Sequence, residues 1–217
     1  MYDLSHTRAA ELFEKVTYPW EVLPLIKEFV IELGKTLDPE IFEEKGDNIW
    51  IAKSAKIAPT ASITGPVIIG ERTDVRPGAF IRGSAIIGDD CVVGNSTEIK
   101  NDILFDKVQV PHYNYVGDSV LGYCSHMGAG SITSNVKSDK TLVVVKDPSG
   151  DNIETGLKKF GAMLADHVEI GCNSVLNPGT VIGTDTNVYP LSCVRGVIPA
   201  HSIVKHSSGL TIVSKDN

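Results

Sequence analysis

Residues 67–99 read VIIGERTDVRPGAFIRGSAIIGDDCVVGNSTEI, and from Ile69 every sixth position is aliphatic: Ile69, Val75, Ile81, Ile87, Val93 and Ile99. Extended in both directions, the series runs from Ile51 through Ile57 and Ile63 to Phe105 without a gap. A helix repeats its apolar stripe at three and four, and a half-buried strand alternates at two. A period of six fits neither. It fits a strand, a turn and another strand wound repeatedly around one core. Four residues after each anchor the side chain is mostly small or β-branched, as at Ala55, Ala61, Val67, Thr73, Ala79, Ala85, Cys91, Thr97 and Ile103. The anchor is expected to fill the core and its smaller companion to share it near a corner. The chain is therefore expected to be mainly β, a parallel β-helix of hexapeptide repeats.

After Pro111 the register slips by one residue and resumes at Val116, Leu121 and Met127. A second array follows at Leu164, Ile170, Leu176, Ile182, Val188 and Val194. The β-helix is thus expected over residues 49–206. Between the arrays, TLVVVKDPSGDNIETGLKKF (residues 141–160) breaks the pattern. Its β-branched run and PSGD turn signal predict a hairpin or loop inserted at about 136–160. Residues 1–48 carry helical spacing instead, at Leu12, Phe13 and Val16 and then Val22, Leu23, Ile26, Phe29, Val30 and Leu33, which predicts two or three short helices. Pro24 lies near the start of the second, and Gly34 and Pro39 punctuate its end. The tail, 207–217, suits either a further strand or a free end.

Composition bounds the function. The 217 residues carry a formal charge of −7, which opposes a general nucleic-acid role because binding a phosphate backbone needs a basic face. An anionic ligand must be met by local cations. No apolar run approaches a membrane span, and MYDLSHTRAAELFEK has neither a basic n-region nor an apolar h-region. A cytoplasmic protein is expected. Cys91, Cys124, Cys172 and Cys193 lack close pairing and read as reduced thiols, with no zinc or other metal expected.

Finer motifs occur in order: VRPGA (residues 75–79), VGNSTEIKN (93–101), HYNYVGD (112–118) and MGAGSITSN (127–135). Together they resemble the glucosamine-1-phosphate N-acetyltransferase domain of the bifunctional bacterial UDP-N-acetylglucosamine pyrophosphorylases, over residues from about 51 to 200. The resemblance implies a left-handed β-helix of the hexapeptide acyltransferase kind. It also implies acetyl-CoA as donor, an amino-sugar phosphate as acceptor, and a homotrimer with sites between neighbouring prisms. On the matching positions, His112 would be the general base, and Tyr115 would contact the sugar phosphate. Arg76 and Lys100 would bind phosphate and sugar, and Asn135 would contact the sugar. Lys159 best matches a further site lysine, with Lys140 as the alternative. The Ala129 backbone would meet the acetyl thioester, with Gly130, Cys172 and Pro190 as further contacts to the acyl-CoA.

Departures from the family pattern keep the acceptor open. His126 stands where the family has asparagine, and either replaces its contact or packs. Val136, Lys137 and Ser138 stand where tyrosine, aspartate and glycine are usual. The uridylyltransferase half finds no counterpart in the first 50 or so residues, so pyrophosphorylase activity is not expected.

The residue types suit the chemistry independently of the resemblance. Amide formation from a thioester needs an uncharged amine, a base working near neutral pH and donors for the oxyanion. His112 offers the base. Gly128 and Gly130 flank Ala129 and would let a thioester approach the backbone. Lys158 and Lys159 could meet phosphates or form an ordinary charged loop. Two other readings compete. One is a non-catalytic β-helix that binds a sugar nucleotide or scaffolds a partner. The other is a γ-carbonic-anhydrase-like metal enzyme, which needs three converging histidines and finds poor spacing among His6, His112, His126, His167, His201 and His206.

Overall fold

The computed structural model describes residues 1–147 and 149–205. Its body is a parallel β-helix with three walls. Ile51, Ile69 and Ile87 stack on the first wall. Ile57, Val75, Val93 and Val110 stack on the second, and Ile63, Ile81, Ile99 and Val116 on the third. One coil consumes eighteen residues, the separation spanned by rungs such as Arg72 to Ser54 and Gly78 to Thr60. Anchors from Ile69 to Ile99 are 0% exposed, each worth about 1.5–3 kcal/mol of apolar burial. Ile57 and Ile63, in the first coil, are half-buried. Buried hydroxyls bridge successive coils at the corners: Thr73 Oγ1 donates to Gly88 O (2.7 Å) and Thr97 Oγ1 to Val110 O (2.9 Å).

The register slip lies elsewhere than expected. Strand Glu98–Leu104 runs through a corner from the third wall to the first, so that Leu104, and not Phe105, stacks on Ile87. Strand Tyr115–Leu121 repeats the shortcut directly above it, pairing Lys100 with Gly117 and Leu104 with Leu121. The missing residues are therefore at 99–104 and 116–121, and none is lost between Pro111 and Val116. The small position at this corner belongs to Asp102, paired with Ala85, rather than to Ile103. Phe105 turns outward and is buried against Tyr2 (5.1 Å between ring centres) and Phe13 (5.6 Å).

The N-terminal segment explains why the first wall is apolar on both sides. Ile68, Ile86 and Ile103 precede the inward anchors, so they face outward, yet all are 0% exposed. Helix Ile26–Gly34 covers them, led in by the 3₁₀ turn Pro19–Leu25. Helical structure ends there. Within the span read as helical, Phe42–Gly46 is a strand, antiparallel to Ile49–Ala52 on the edge of the first coil.

The insertion is a hairpin, Val144–Lys146 against Asn152–Glu154. Val143 and Val145 bury it on the body, where corner glycines make room. A Cβ on Gly179 (φ +80) would meet Val143 Cγ1 at 2.7 Å, and one on Gly196 (φ +75) would lie 3.5 Å from Lys146 O. The tail, 207–217, lies outside the described residues. No helix among the described residues is long and apolar enough to cross a membrane.

Candidate active site

His112 closes strand Gln109–His112, at the corner between the second and third walls. The corner is locked by Asn114, only 3% exposed. Its Oδ1 accepts the His112 N–H (3.0 Å), and its Nδ2 donates to the carbonyls of Gly128 (2.9 Å) and Ser131 (3.1 Å). The His112 carbonyl accepts the N–H of Gly130 at 3.0 Å. The backbone is thus pinned while the side chain stands on the exposed edge.

The same edge carries, in file, the other residues expected to meet the acyl-CoA. Asn173 N–H donates to Ala129 O (2.9 Å) and Leu191 N–H to Cys172 O (2.9 Å), as the pairing of Met127 with Ile170 and of Ile170 with Val188 requires. His112, Ala129, Cys172 and Pro190 therefore follow one another on successive coils, about 4.8 Å apart. Close approach is built in. A Cβ on Gly128 would come within 2.8 Å of Cys172 N, and one on Gly130 (φ +71) within 2.2 Å of Asn173 Oδ1. The result is a narrow, small-residue track along the body, with an imidazole at one end.

The two corner-cutting strands build a second cluster, around Asp118. This buried carboxylate accepts from Lys100 Nζ at 2.9 Å through each oxygen, from Asn101 Nδ2 (2.9 Å) and from Asn135 Nδ2 (2.5 Å). Asn135 Nδ2 also donates to Tyr115 Oη at 3.1 Å. Gly117 leaves space for that phenol, since a Cβ there would fall 2.5 Å from Tyr115 Oη. Burial raises the Tyr115 pKa, and the nearby carboxylates add to the effect. Beneath lies Asp102, 0% exposed, accepting the N–H groups of Lys100 (2.7 Å) and Ser119 (2.8 Å). Burial holds its carboxyl well above the usual range, against the lowering effect of the Lys100 N–H, while the Asp118 charge reinforces the rise.

The chain returning from the hairpin closes this cluster. Phe160 N–H donates to Asn135 O (2.9 Å) and Gly161 N–H to Asp118 O (2.8 Å), which leaves Lys159 exposed immediately beside it. Three of the expected substrate residues, Lys100, Tyr115 and Asn135, thus meet in one network, with Lys159 next to it in the chain. Tyr115 follows His112 by three residues and connects network to track.

Other expected residues lie apart. Arg76 pairs with Asp74 (2.9 Å) on the second wall, two coils before His112. His126 Nδ1 sits 2.8 Å from Glu169 Oε2, beside Gln109 on that wall and away from the Asp118 network. Lys140 is exposed within the insertion. Among the described residues no group of three His, Cys, Asp or Glu side chains is placed to hold a metal ion. Sequence reasoning missed Asp118, Asn101 and Asp102. Their signal was present, since Asp118 closes HYNYVGD and Asn101 and Asp102 follow Lys100 directly.

Known proteins resemble this chain in sequence. The family model described as the GMPPB C-terminal domain matches residues 63–148. The bifunctional protein GlmU of Methanococcus maripaludis is 31% identical over 220 residues, covering 93% of this chain and 49% of the relative. A bifunctional sugar-1-phosphate nucleotidylyltransferase/acetyltransferase of Sulfurisphaera tokodaii is 31% identical over 168 residues, covering 69% of this chain and 42% of its own length. Among solved structures, a putative acetyltransferase from Bacillus cereus overlaps 70% of each chain at 21% identity and a TM-score of 0.39, a similarity that carries no functional weight. The chain spans about half the length of the curated relatives it matches. It is a homologue of the GlmU proteins, with a hexapeptide-repeat β-solenoid of the GlmU C-terminal kind.

Proposed function

We propose that the chain transfers an acetyl group from acetyl-CoA to the amine of an amino-sugar phosphate such as glucosamine 1-phosphate. The observation that carries this reading is the adjacency of two features. One is the glycine-flanked track His112–Ala129–Cys172–Pro190, suited to a long thin thioester. The other is the Lys100–Asp118–Asn135–Tyr115 network on the next wall, suited to a polyhydroxylated acceptor. The bifunctional acetyltransferase named among the relatives supports the reaction class.

In this mechanism the thioester carbonyl lies against the Ala129–Gly130 backbone, whose approach the glycines permit. The acceptor hydroxyls bond to Asn135 and Tyr115, and Lys100 with exposed Lys159 meets the phosphate. His112 takes the proton as the amine attacks, the tetrahedral intermediate collapses, and the CoA thiolate leaves and is protonated. Arg76 and His126, held by Asp74 and Glu169, would reach substrate only from a neighbouring subunit, which suits a homotrimer. The protein would work in the cytoplasm, without a metal ion and without binding nucleic acid.

The test is CoA thiol release from acetyl-CoA across a panel of amino-sugar phosphates, with His112→Ala and His112→Gln as controls. Turnover with an amino sugar that both variants lose by a factor of about 10²–10⁴ supports the reading. No turnover with any acceptor, together with no CoA binding, favours a non-catalytic coil.

A further inference from the structure

A cavity lies where the hairpin meets the last coils. It holds about 520 Å³ and is lined by Lys137, Lys146, Arg195, Asn177, Asp147 and the backbone of Gly196, among others. Three cations converge here in a chain whose formal charge is −7. Asp147 is the only carboxylate among the lining residues, and its Oδ1 is already taken by Ser149 N–H (2.8 Å) and Ser149 Oγ (2.7 Å). Lys137 bonds Thr141 Oγ1 (2.6 Å) and lies 3.4 Å from Asp139. Lys146 and Arg195 are exposed and take part in no ion pair among the described residues.

The fold puts these cations together deliberately. Arg195 follows Val194 and Asn177 follows Leu176, and those anchors pair with each other and with Thr133. Asn177 and Arg195 therefore continue the file of Lys100, Gly117 and Ser134 along that corner, one and two coils beyond Ser134, which puts Arg195 roughly 10 Å past it. Lys146 comes from the hairpin and is pressed onto the same corner, its carbonyl and Cβ 3.5 and 3.9 Å from where a Gly196 side chain would begin. By contrast, Lys100 is matched by Asp118 and Arg76 by Asp74, whereas Lys146 and Arg195 bring charge into the cavity that no carboxylate among the described residues pairs with.

We propose that this cavity binds the phosphate or diphosphate group of an organic ligand. A guanidinium and two ammonium groups suit a diphosphate, Arg195 as a planar fork and the lysines as point charges, while Asn177 offers a neutral donor. The cavity exceeds the size of a diphosphate alone, leaving room for an attached nucleoside or sugar. Two ligands bring this chemistry to the edge: the nucleotide end of an acyl-CoA and a nucleoside-diphosphate sugar. Binding here does not depend on acetyl transfer.

The experiment is calorimetric titration of the full chain with inorganic pyrophosphate, then competition by coenzyme A and by uridine diphosphate. Pyrophosphate binding that weakens about tenfold or more in each of Lys146→Gln and Arg195→Gln, with the thermal midpoint unchanged and with weakening at high salt, supports the site. Displacement by coenzyme A assigns it to the donor, and displacement by uridine diphosphate to a nucleotide-linked acceptor. Lys35→Gln, on the remote helical segment, should bind as the parent does. Absence of pyrophosphate binding, binding undiminished in the Lys146→Gln, Arg195→Gln double variant, or displacement by neither nucleotide overturns the proposal. Loss of acetyl transfer in His112→Ala with pyrophosphate binding intact separates this site from the transfer reaction.

Discussion

Lys100 and Asp118 meet across adjacent coils with the ammonium nitrogen 2.9 Å from both carboxylate oxygens, and the two side chains are only 23% and 5% exposed. Both come from strands that cut a corner where every earlier coil turns normally. The shortened corner is what draws the pair together, and Asn101 and Asn135 complete the carboxylate's shell.

Removing that carboxylate should cost stability as well as function. Asp118→Ala leaves a mostly buried ammonium without its acceptor, while the amides of Asn101 and Asn135 keep only Leu23 O and Tyr115 Oη, so a loss of about 3 kcal/mol is expected. Chemical denaturation measures it, and acceptor KM should rise because Asn135 and Tyr115 lose their orientation. A variant as stable as the parent would show that Lys100 is satisfied elsewhere.

His112→Ala should leave the fold intact, since only the backbone of this residue is bonded into the corner. The expected signature is a fall in kcat of about 10²–10⁴ with little change in thermal midpoint. A comparable fall in stability would make His112 a structural corner residue.

Asp102 should make stability depend on pH in a defined direction. Its folded-state pKa is raised by burial, so the native state binds its proton more tightly than the unfolded chain does. Stability therefore falls as pH rises from the ordinary carboxylate range through the folded-state value, by linkage. Asp102→Asn lacks this titration. Thermal midpoints of parent and variant, compared from pH 4 to 8, should show the parent losing ground to the variant as pH rises. A difference that stays constant with pH would contradict a perturbed Asp102.

Gly179→Ala tests how the hairpin is seated. The substitution meets a left-handed backbone, at a cost of about 1–2 kcal/mol, and places a methyl 2.7 Å from Val143 Cγ1. Limited proteolysis should cut within residues 136–160 faster than in the parent while the coils remain resistant. Unchanged cleavage would mean that the body, not the hairpin, absorbs the clash.

The coil was legible because its period of six is unlike that of a helix or a flat strand. The position of the slip was not. Phe105 keeps the sixfold spacing although it faces outward, because the N-terminal segment supplies Tyr2 and Phe13 to bury it. On a wall apolar on both faces, as at Ile103, Leu104 and Phe105, hydrophobicity alone does not tell inside from outside. The same ambiguity hid Asp102, a carboxylate in a position otherwise held by small residues such as Ala85. His112, Tyr115, Lys100 and Asn135 were singled out through ordered motifs. Asp118, which bonds Lys100 and Asn135, lay inside a quoted motif yet drew no attention, since its contacts run between coils.

The most direct measurement is a crystal structure of the full chain with coenzyme A bound. The pantetheine arm should lie along Pro190, Cys172 and Ala129, with the thiol close enough to His112 for an amine to stand between them. Coenzyme A seated away from this edge, with its thiol remote from His112, would contradict this placement of the reaction.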